Sequence, residues 1–308
     1  MKKKVYAIVN PVSANGLTGK EWPSYESIIK ASGIDMDYVF TEYPMHATAL
    51  AQEALKKEYE IILSVGGDGT MNEVLNGFFY DRELINKNAS LAIFSRGTGC
   101  DTIRTIGIGK DVNSIIEVLK LEKSQFLDVG LAEFTGYGGK KTQRYFLNVS
   151  DVGIGGETTY RVNKNSKALK GFLSFMLGAL TTIITYRNKD FQVTVDDVVI
   201  DERLNSIIVA NGKYFGGGMK IAPMAEMNDG YFDIIIIGNL SKLDLLFNFP
   251  KIYKGDHMNH PKLMHLKGKT VIVNAKQKAL IEVDGEQPGV IGAKFSILPQ
   301  KIKVLVGK

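Results

Sequence analysis

The chain has one cysteine, Cys100, in 308 residues, so it can form no internal disulfide and suits a reducing compartment. It also lacks a long apolar run. The best span candidate, Phe172 to Tyr186, falls short of the roughly 20 residues a membrane helix needs, and Ser174, Thr181, Thr182 and Thr185 interrupt it. Met1-Lys2-Lys3-Lys4 resembles a secretory leader only in its charges, because the apolar stretch that follows is short and ends in a turn. A soluble or peripheral protein is expected. His46, His257, His260 and His265 form no metal-spaced pair with another ligand, which argues against zinc. There is no Gly-x-Ser-x-Gly elbow, no Gly-x-Gly-x-x-Gly fingerprint, no Walker A loop, no nucleic-acid-binding signature and no internal repeat.

What is present centres on residues 60–75. Ile61 to Val65 has the length and β-branching of a buried strand. It ends in Gly66-Gly67-Asp68-Gly69-Thr70, and Val74, Leu75 and Phe78 then follow at helix spacing. Strand, glycine turn and helix aim backbone N–H groups and a helix N-terminus at an anion. Asp68 adds a carboxylate for a metal, and Thr70 is placed to cap the helix. The plainer alternative is a tight turn in an ordinary α/β domain. Asn10-Pro11-Val12-Ser13-Ala14-Asn15-Gly16, after the strand Val5–Val9, reads as a second phosphate-approach loop, and Ser95 to Asp101 closes a third strand in the same way. The first part alternates strands with helices at 24–31, 47–57 and 111–120, which implies right-handed βαβ units and a parallel sheet. Ligands of such sheets bind at the strands' carboxyl ends.

After Lys123 strand patterns dominate, at 126–130, 144–149, 191–195, 206–210, 231–237, 270–274, 280–283 and 301–306, with helical patterns only near 169–186 and 242–253. The expected fold class is therefore α/β plus β: an N-terminal parallel-sheet nucleotide-binding domain over 1–124, joined by 298–308, and a mainly antiparallel β-sandwich over 125–297. The glycine clusters 152–157 and 215–219 allow close backbone approach to a ligand or mark bulges and turns. Asn228-Asp229-Gly230-Tyr231 and Val283-Asp284-Gly285-Glu286 read as turns, or as carboxylates offered to a cation or at a rim. Net charge is +5, with local lysine excess at Arg161, Lys164, Lys167 and Lys170 and again from Lys251 to Lys278; both suit an anionic surface or are solvated faces. Cys100 reads as a small buried residue. The residues alone lead to a protein that binds a phosphorylated ligand and Mg²⁺.

The motif set resembles the diacylglycerol kinase-like lipid kinases over nearly the whole chain. Asn10 to Ala14 is similar to the family's Asn-Pro-x-Ser-Gly loop, Gly66 to Glu73 to its nucleotide motif, and Gly97-Thr98-Gly99-Cys100-Asp101 to Gly-Thr-x-Asn-Asp. Ala210 to Met219, Ala222-Pro223, Asp229-Gly230 and Asp284-Gly285-Glu286 resemble the second domain. The resemblance implies ATP held by Asn10, Pro11, Val12, Ser13, Ala14, Thr41, Gly66, Gly67, Asp68, Gly69, Thr70, Met71, Asn72, Glu73 and Thr98. It implies a structural Mg²⁺ near Glu226, Asp229 and Tyr231, largely through backbone oxygens. It makes Glu286 the proton acceptor, gives Asp68 and Asp101 a catalytic Mg²⁺, and directs attention to Lys20 and Arg96 as phosphate partners. It further implies a lipid acceptor at a membrane surface, no nucleic-acid partner, a cytoplasmic location at the inner face of the membrane, and room for a homodimer. An NAD kinase-like phosphotransferase and a catalytically weak lipid-binding regulator are the alternatives. Cys100, Ser95 and Ala14 depart from the family's usual Asn, Pro and Gly; the alanine is a small change if its φ is negative.

Overall fold

Four parallel strands organise the first part of the chain in a computed structural model, which describes residues 3–97, 99–165 and 172–307. Their spatial order is Met36–Phe40, Val5–Val9, Ile61–Gly66, Ser90–Ser95. Lys303 and Val304 pair in parallel with Ser90 and Leu91, so the chain end closes the far edge. Ile61–Gly66 and Ser90–Ser95 are buried at every residue, as expected where helices cover both faces, while Met36–Phe40 exposes Asp37, Tyr38 and Phe40 at the open edge. The chain leaves Val5–Val9 toward one side for its second strand and toward the other for its third. That reversal opens a crevice at the carboxyl ends of Val5–Val9 and Ile61–Gly66, where the two glycine-bearing loops lie.

The helices follow from periodicity and caps. His46–Lys56 buries Ala47, Leu50, Ala51, Ala54 and Leu55, one stripe at 3.6-residue spacing. Asp111 caps Val112–Leu121 by accepting from the N–H groups of Asn113 and Ser114 at 3.0 Å each. Leu17–Ala31 starts earlier than the expected residue 24, and it buries Trp22 completely. Such a buried aromatic contributes roughly 2–3 kcal/mol of transfer free energy.

The chain divides into two compact units, Met1–Leu127 with Gln300–Lys308, and Asp128–Pro299. The second unit is antiparallel. Val149–Gly153 lies between Ser206–Ala210 and Leu280–Val283, and Phe232–Ile237 lies between Ser206–Ala210 and Leu263–Gly268. Alternation splits this sheet between two cores. Ile207, Val209, Ile234 and Ile236 join Phe134, Phe146, Phe191, Phe232 and Phe295 on one face, while Ile208, Ala210, Ile235 and Ile237 face Ile221, Ala222 and Leu240 on the other. Phe146 stacks on Phe232 with centroids 5.6 Å apart.

Three differences from the sequence reading have physical causes. The glycines at 153–156 end a strand and open a helix, Ile154–Asn165. A Cβ on Gly156 would sit 2.5 Å from the Leu280 carbonyl oxygen, so glycine lets this helix lie directly on the sheet. Val198–Leu204 buries only Ile200 and Leu204, and Leu263–Gly268 only Gly268, too weak a pattern for either strand to stand out. The last strand, Glu286–Leu305, is far longer than residues 301–306. No helix among the described residues is long and apolar enough to cross a membrane. Lys167 and Lys170 lie outside the described residues.

Candidate active site

In the first unit the two loops at the crevice are knitted together. Asn10 Nδ2 donates to Thr70 Oγ1 at 2.9 Å, its N–H donates to the Val65 carbonyl at 2.9 Å, and its Oδ1 accepts from Val12 N at 3.1 Å. Ser13 Oγ donates to the Asn10 carbonyl at 2.9 Å and lies in hydrogen-bond contact with the Thr18 hydroxyl at 2.7 Å. Thr70 is therefore spent on Asn10 inside the first turn and does not cap the helix. The helix Asp68–Gly77 begins after Gly67 with no side-chain cap, whereas at the start of Leu17–Ala31 the Leu17 N–H donates to the Ser13 and Ala14 carbonyls and the Gly19 N–H to the Pro11 carbonyl. Uncapped N-termini beside glycine turns leave N–H groups for an anion. Close approach requires glycine at two positions: a Cβ on Gly66 would collide with Thr70 Oγ1, and one on Gly97 would lie 2.6 Å from Gly67 Cα.

Asp68 and Asp101 start two different helices, after the third and fourth strands in chain order. A Cβ on Gly99 would sit 3.0 Å from Asp68 Oδ2 and 3.1 Å from Asp101 Oδ2, so both carboxylates converge on space that the glycine keeps open. That donor set fits a hard divalent cation that takes few protein oxygens and completes its shell with water and phosphate. Asp68 Oδ1 also faces the Thr102 N–H at 3.5 Å and the Thr102 hydroxyl at 3.4 Å.

The other expected nucleotide residues divide by surroundings. Thr41 follows the edge strand and donates its N–H to the Val9 carbonyl. Met71 and Asn72 are buried, and Glu73 turns its carboxylate to the Ala47 N–H, at the start of the neighbouring helix. Thr98 lies outside the described residues. Lys20 is exposed, whereas Arg96 pairs with Glu21 and lies over the Tyr25 ring at 5.0 Å. Ala14 has φ +51°, so the alanine is not the small change expected: it occupies the left-handed region that glycine enters freely, at a cost of about 1–2 kcal/mol. Cys100 is buried, also left-handed at φ +54°, and its thiol donates to the Gly97 carbonyl.

In the second unit Glu286 is the first residue after a two-residue hairpin turn, Asp284-Gly285, with φ +46° and +88°. Asp284 clamps that turn by accepting from the N–H groups of Leu147, Asn148 and Val149 at 3.0, 3.0 and 3.2 Å. Asn211 supports the same segment, donating to the carbonyls of Leu147 and Asp128. Glu282 accepts from the Gly285 N–H behind the turn. Glu282 and Asp151 face each other across adjacent strands, and both are buried. Burial pushes the Glu282 carboxyl well above its usual range and Asp151 up to about 6, despite hydrogen bonds from Ser206 and Gly155 that favour its charged form.

A family model described as the diacylglycerol kinase catalytic domain matches residues 4–132, and one described as the YegS C-terminal NAD kinase beta sandwich-like domain matches residues 148–306, about half of the chain. The chain belongs to the diacylglycerol kinase-like lipid kinase family. It is thereby a phosphotransferase with an alcohol group as acceptor. A diacylglycerol kinase of Staphylococcus carnosus (strain TM300) is 27% identical over 310 residues, covering 100% of this chain and 96% of that protein. One from Staphylococcus saprophyticus subsp. saprophyticus is 28% identical over 306 residues, covering 99% and 95%. A crystal structure of a diacylglycerol kinase from Bacillus anthracis str. Sterne shares the fold with TM-score 0.71 at 20% identity, covering 99% of this chain and 97% of that one.

The turn at Asp229 carries a paired charge. Asp229 Oδ1 accepts from the Tyr231 N–H at 3.0 Å, and Oδ2 takes the Lys267 ammonium at 2.6 Å. Lys267 stands opposite Asp233 in the strand register, with its ammonium 3.9 Å from the Asp233 carboxylate. Among the described residues no group of three or more His, Cys, Asp or Glu side chains could hold a metal ion. Lys267 thus neutralises the Asp229 carboxylate, and an Mg²⁺ held by Glu226, Asp229 and Tyr231, as the resemblance implies, would rest largely on backbone oxygens. Lys267→Met is expected to lower Tm by roughly 2–4 °C, about 1 kcal/mol for a unit of this size. A Tm left unchanged by Lys267→Met would contradict a stabilising role for this pairing.

Sequence reasoning missed Glu282 and Asp151, although an acid inside a buried strand run was the available signal. Their titration gives a stability signature. Because the folded pKa of Asp151 is raised, its contribution is full below the ordinary carboxylate range, about pH 4, and is lost as pH rises through about 6. Asp151→Asn keeps the Gly155 acceptor and removes the ionisation. The fall in Tm between about pH 4 and 7 should therefore flatten by several degrees relative to wild type, with Glu282 retaining part of the slope. Parallel Tm–pH curves for the two proteins would refute this.

Proposed function

We propose that the chain transfers the γ-phosphoryl group of ATP to the hydroxyl of diacylglycerol or a related lipid, with Mg²⁺ at Asp68 and Asp101. The observation that carries this reading is the convergence of those two carboxylates on the space beside Gly99, next to the uncapped helix at Gly67. The names of the relatives support diacylglycerol as the acceptor.

The N–H groups of the first helical turn at Asp68–Thr70 bind and orient the triphosphate beside the Asn10–Ala14 loop, and that helix N-terminus offsets its charge. Asp68 and Asp101 would hold an Mg²⁺, which would supply positive charge to the phosphate oxygens. The lipid hydroxyl oxygen bonds to the γ-phosphorus, the bond to the bridging oxygen breaks, and ADP leaves. The hydroxyl proton passes to the Glu286 carboxylate as the new bond forms. The clamped hairpin fixes where that carboxylate points.

Such an enzyme works at the cytoplasmic face of a membrane, where both substrates meet. ADP release should depend on lipid when diacylglycerol, phosphatidylglycerol, sphingoid bases and undecaprenol are offered separately in mixed micelles. The second family model favours an NAD arm in the same screen. Turnover on NAD and none on lipid would replace this reading, and lipid binding without turnover would make the protein a regulator.

A further inference from the structure

The helix Lys242–Asn248 turns large apolar side chains outward. Leu245 packs on the second core of its unit, together with Ile252 and Met258. Leu243, Leu246 and Phe247, at i, i+3 and i+4, share the opposite side and are 66%, 36% and 75% exposed. No residue of this helix is buried. Ile184, 56% exposed at the end of Phe172–Thr185, adjoins it, because Lys242 Nζ donates to the Ile184 carbonyl.

Basic groups bracket this surface. Lys242 begins the helix, and Lys251 folds back so that Nζ donates to Asn248 Oδ1 at 2.9 Å. Lys254 is exposed beyond it, and Lys262 reaches the Asn239 carbonyl. Between Gly238 and Lys262 the chain has four lysines against two aspartates. One of those, Asp244, is absorbed by the capping box with Ser241 at the helix N-terminus. Large apolar side chains pointing outward among lysines match an interface of acyl chains and anionic headgroups.

We propose that Leu243, Leu246 and Phe247, flanked by Lys242, Lys251 and Lys254, dock the protein on an anionic lipid surface. The apolar side chains enter the boundary between headgroups and acyl chains, and the lysines meet lipid phosphates. This rests on the lipid-kinase reading for its purpose, but its test does not need catalysis.

The test compares wild type with Leu243→Asp/Phe247→Asp and with Lys251→Glu/Lys254→Glu. Sedimentation is measured with phosphatidylcholine vesicles and with vesicles containing phosphatidylglycerol, at low and high salt. The Asp pair should weaken partition to phosphatidylglycerol vesicles at least tenfold. The Glu pair should weaken it by about tenfold or more at low salt and by less at high salt. Neither should change Tm substantially, since the altered side chains are exposed; Phe247→Leu should restore partition. Turnover on a short-chain diacylglycerol dissolved as monomers should persist in both variants, while turnover on vesicles falls. If no lipid supports turnover but partition still drops, the surface stands and the kinase reading fails. Unchanged vesicle partition in both variants overturns the surface, as does a shift from dimer to monomer with partition unaffected, which would assign this face to a second copy.

Discussion

Asp68→Asn should fold normally and lose lipid-dependent turnover by on the order of a hundredfold or more. The substitution keeps size and shape, so the long contacts to Thr102 can persist. It removes one of the two charges converging beside Gly99, leaving Asp101 alone. A hundredfold loss corresponds to about 2.7 kcal/mol of transition-state stabilisation. The structural cost is smaller: an acid in the first turn of a helix is worth about 0.3–1 kcal/mol. Tm should therefore drop by only a few degrees while kcat collapses at saturating Mg²⁺. Turnover within a few-fold of wild type in the folded variant would withdraw Asp68 from the site.

Glu286→Gln and Gly97→Val should separate chemistry from binding. Loose phosphoryl transfer needs a base only late, and a positioned base contributes typically about 10² to 10⁴-fold. Glu286→Gln should lower kcat within that range and leave ATP affinity nearly unchanged. The hairpin should survive, because Asp284 and not Glu286 anchors it. Gly97→Val acts on the other side of the account. Its Cβ would press on Gly67 Cα at 2.6 Å, whereas a Cβ on Gly67 would meet Gly97 Cα at 3.4 Å. Gly97 is thus the tighter position, and filling it should weaken ATP by tenfold or more through displacement of the phosphate loop. Calorimetric titration beside steady-state turnover reads both. If Glu286→Gln loses ATP as severely as Gly97→Val, the proton-acceptor role fails.

The architecture was largely legible because its strands carry strong local patterns. Val5–Val9, Ser206–Ala210 and Leu280–Val283 announce themselves as short β-branched runs between turn residues. Val198–Leu204, with Asp201, Glu202 and Arg203, shows no such run; pairing with Lys189–Val195 makes it a strand. The helix Ile154–Asn165 was hidden because its first turn contains glycines whose purpose is packing against Leu280.

The site was less legible, since its properties depend on residues distant in sequence. The motif at residues 66–73 is visible, but the bond from Asn10 to Thr70 spans 60 positions. The sign of φ at Ala14 is a property of the folded loop. Lys267 looks like one surface lysine among several until the register sets it opposite Asp233 and beside Asp229. The helical pattern near 242–253 does not show which face is turned in, and only the packing of Leu245 reveals that Leu243 and Phe247 point outward.

The most direct measurement follows the phosphoryl group itself. ATP labelled in the γ-phosphate is incubated with diacylglycerol micelles, Mg²⁺ and either wild type or Asp68→Asn, and label is counted in the chloroform-extracted lipid. The account predicts Mg²⁺-dependent label in a phosphorylated lipid with wild type, and at most about a hundredth of that rate with Asp68→Asn. Label that stays wholly in the aqueous phase, or enters lipid equally fast with both proteins, would contradict it.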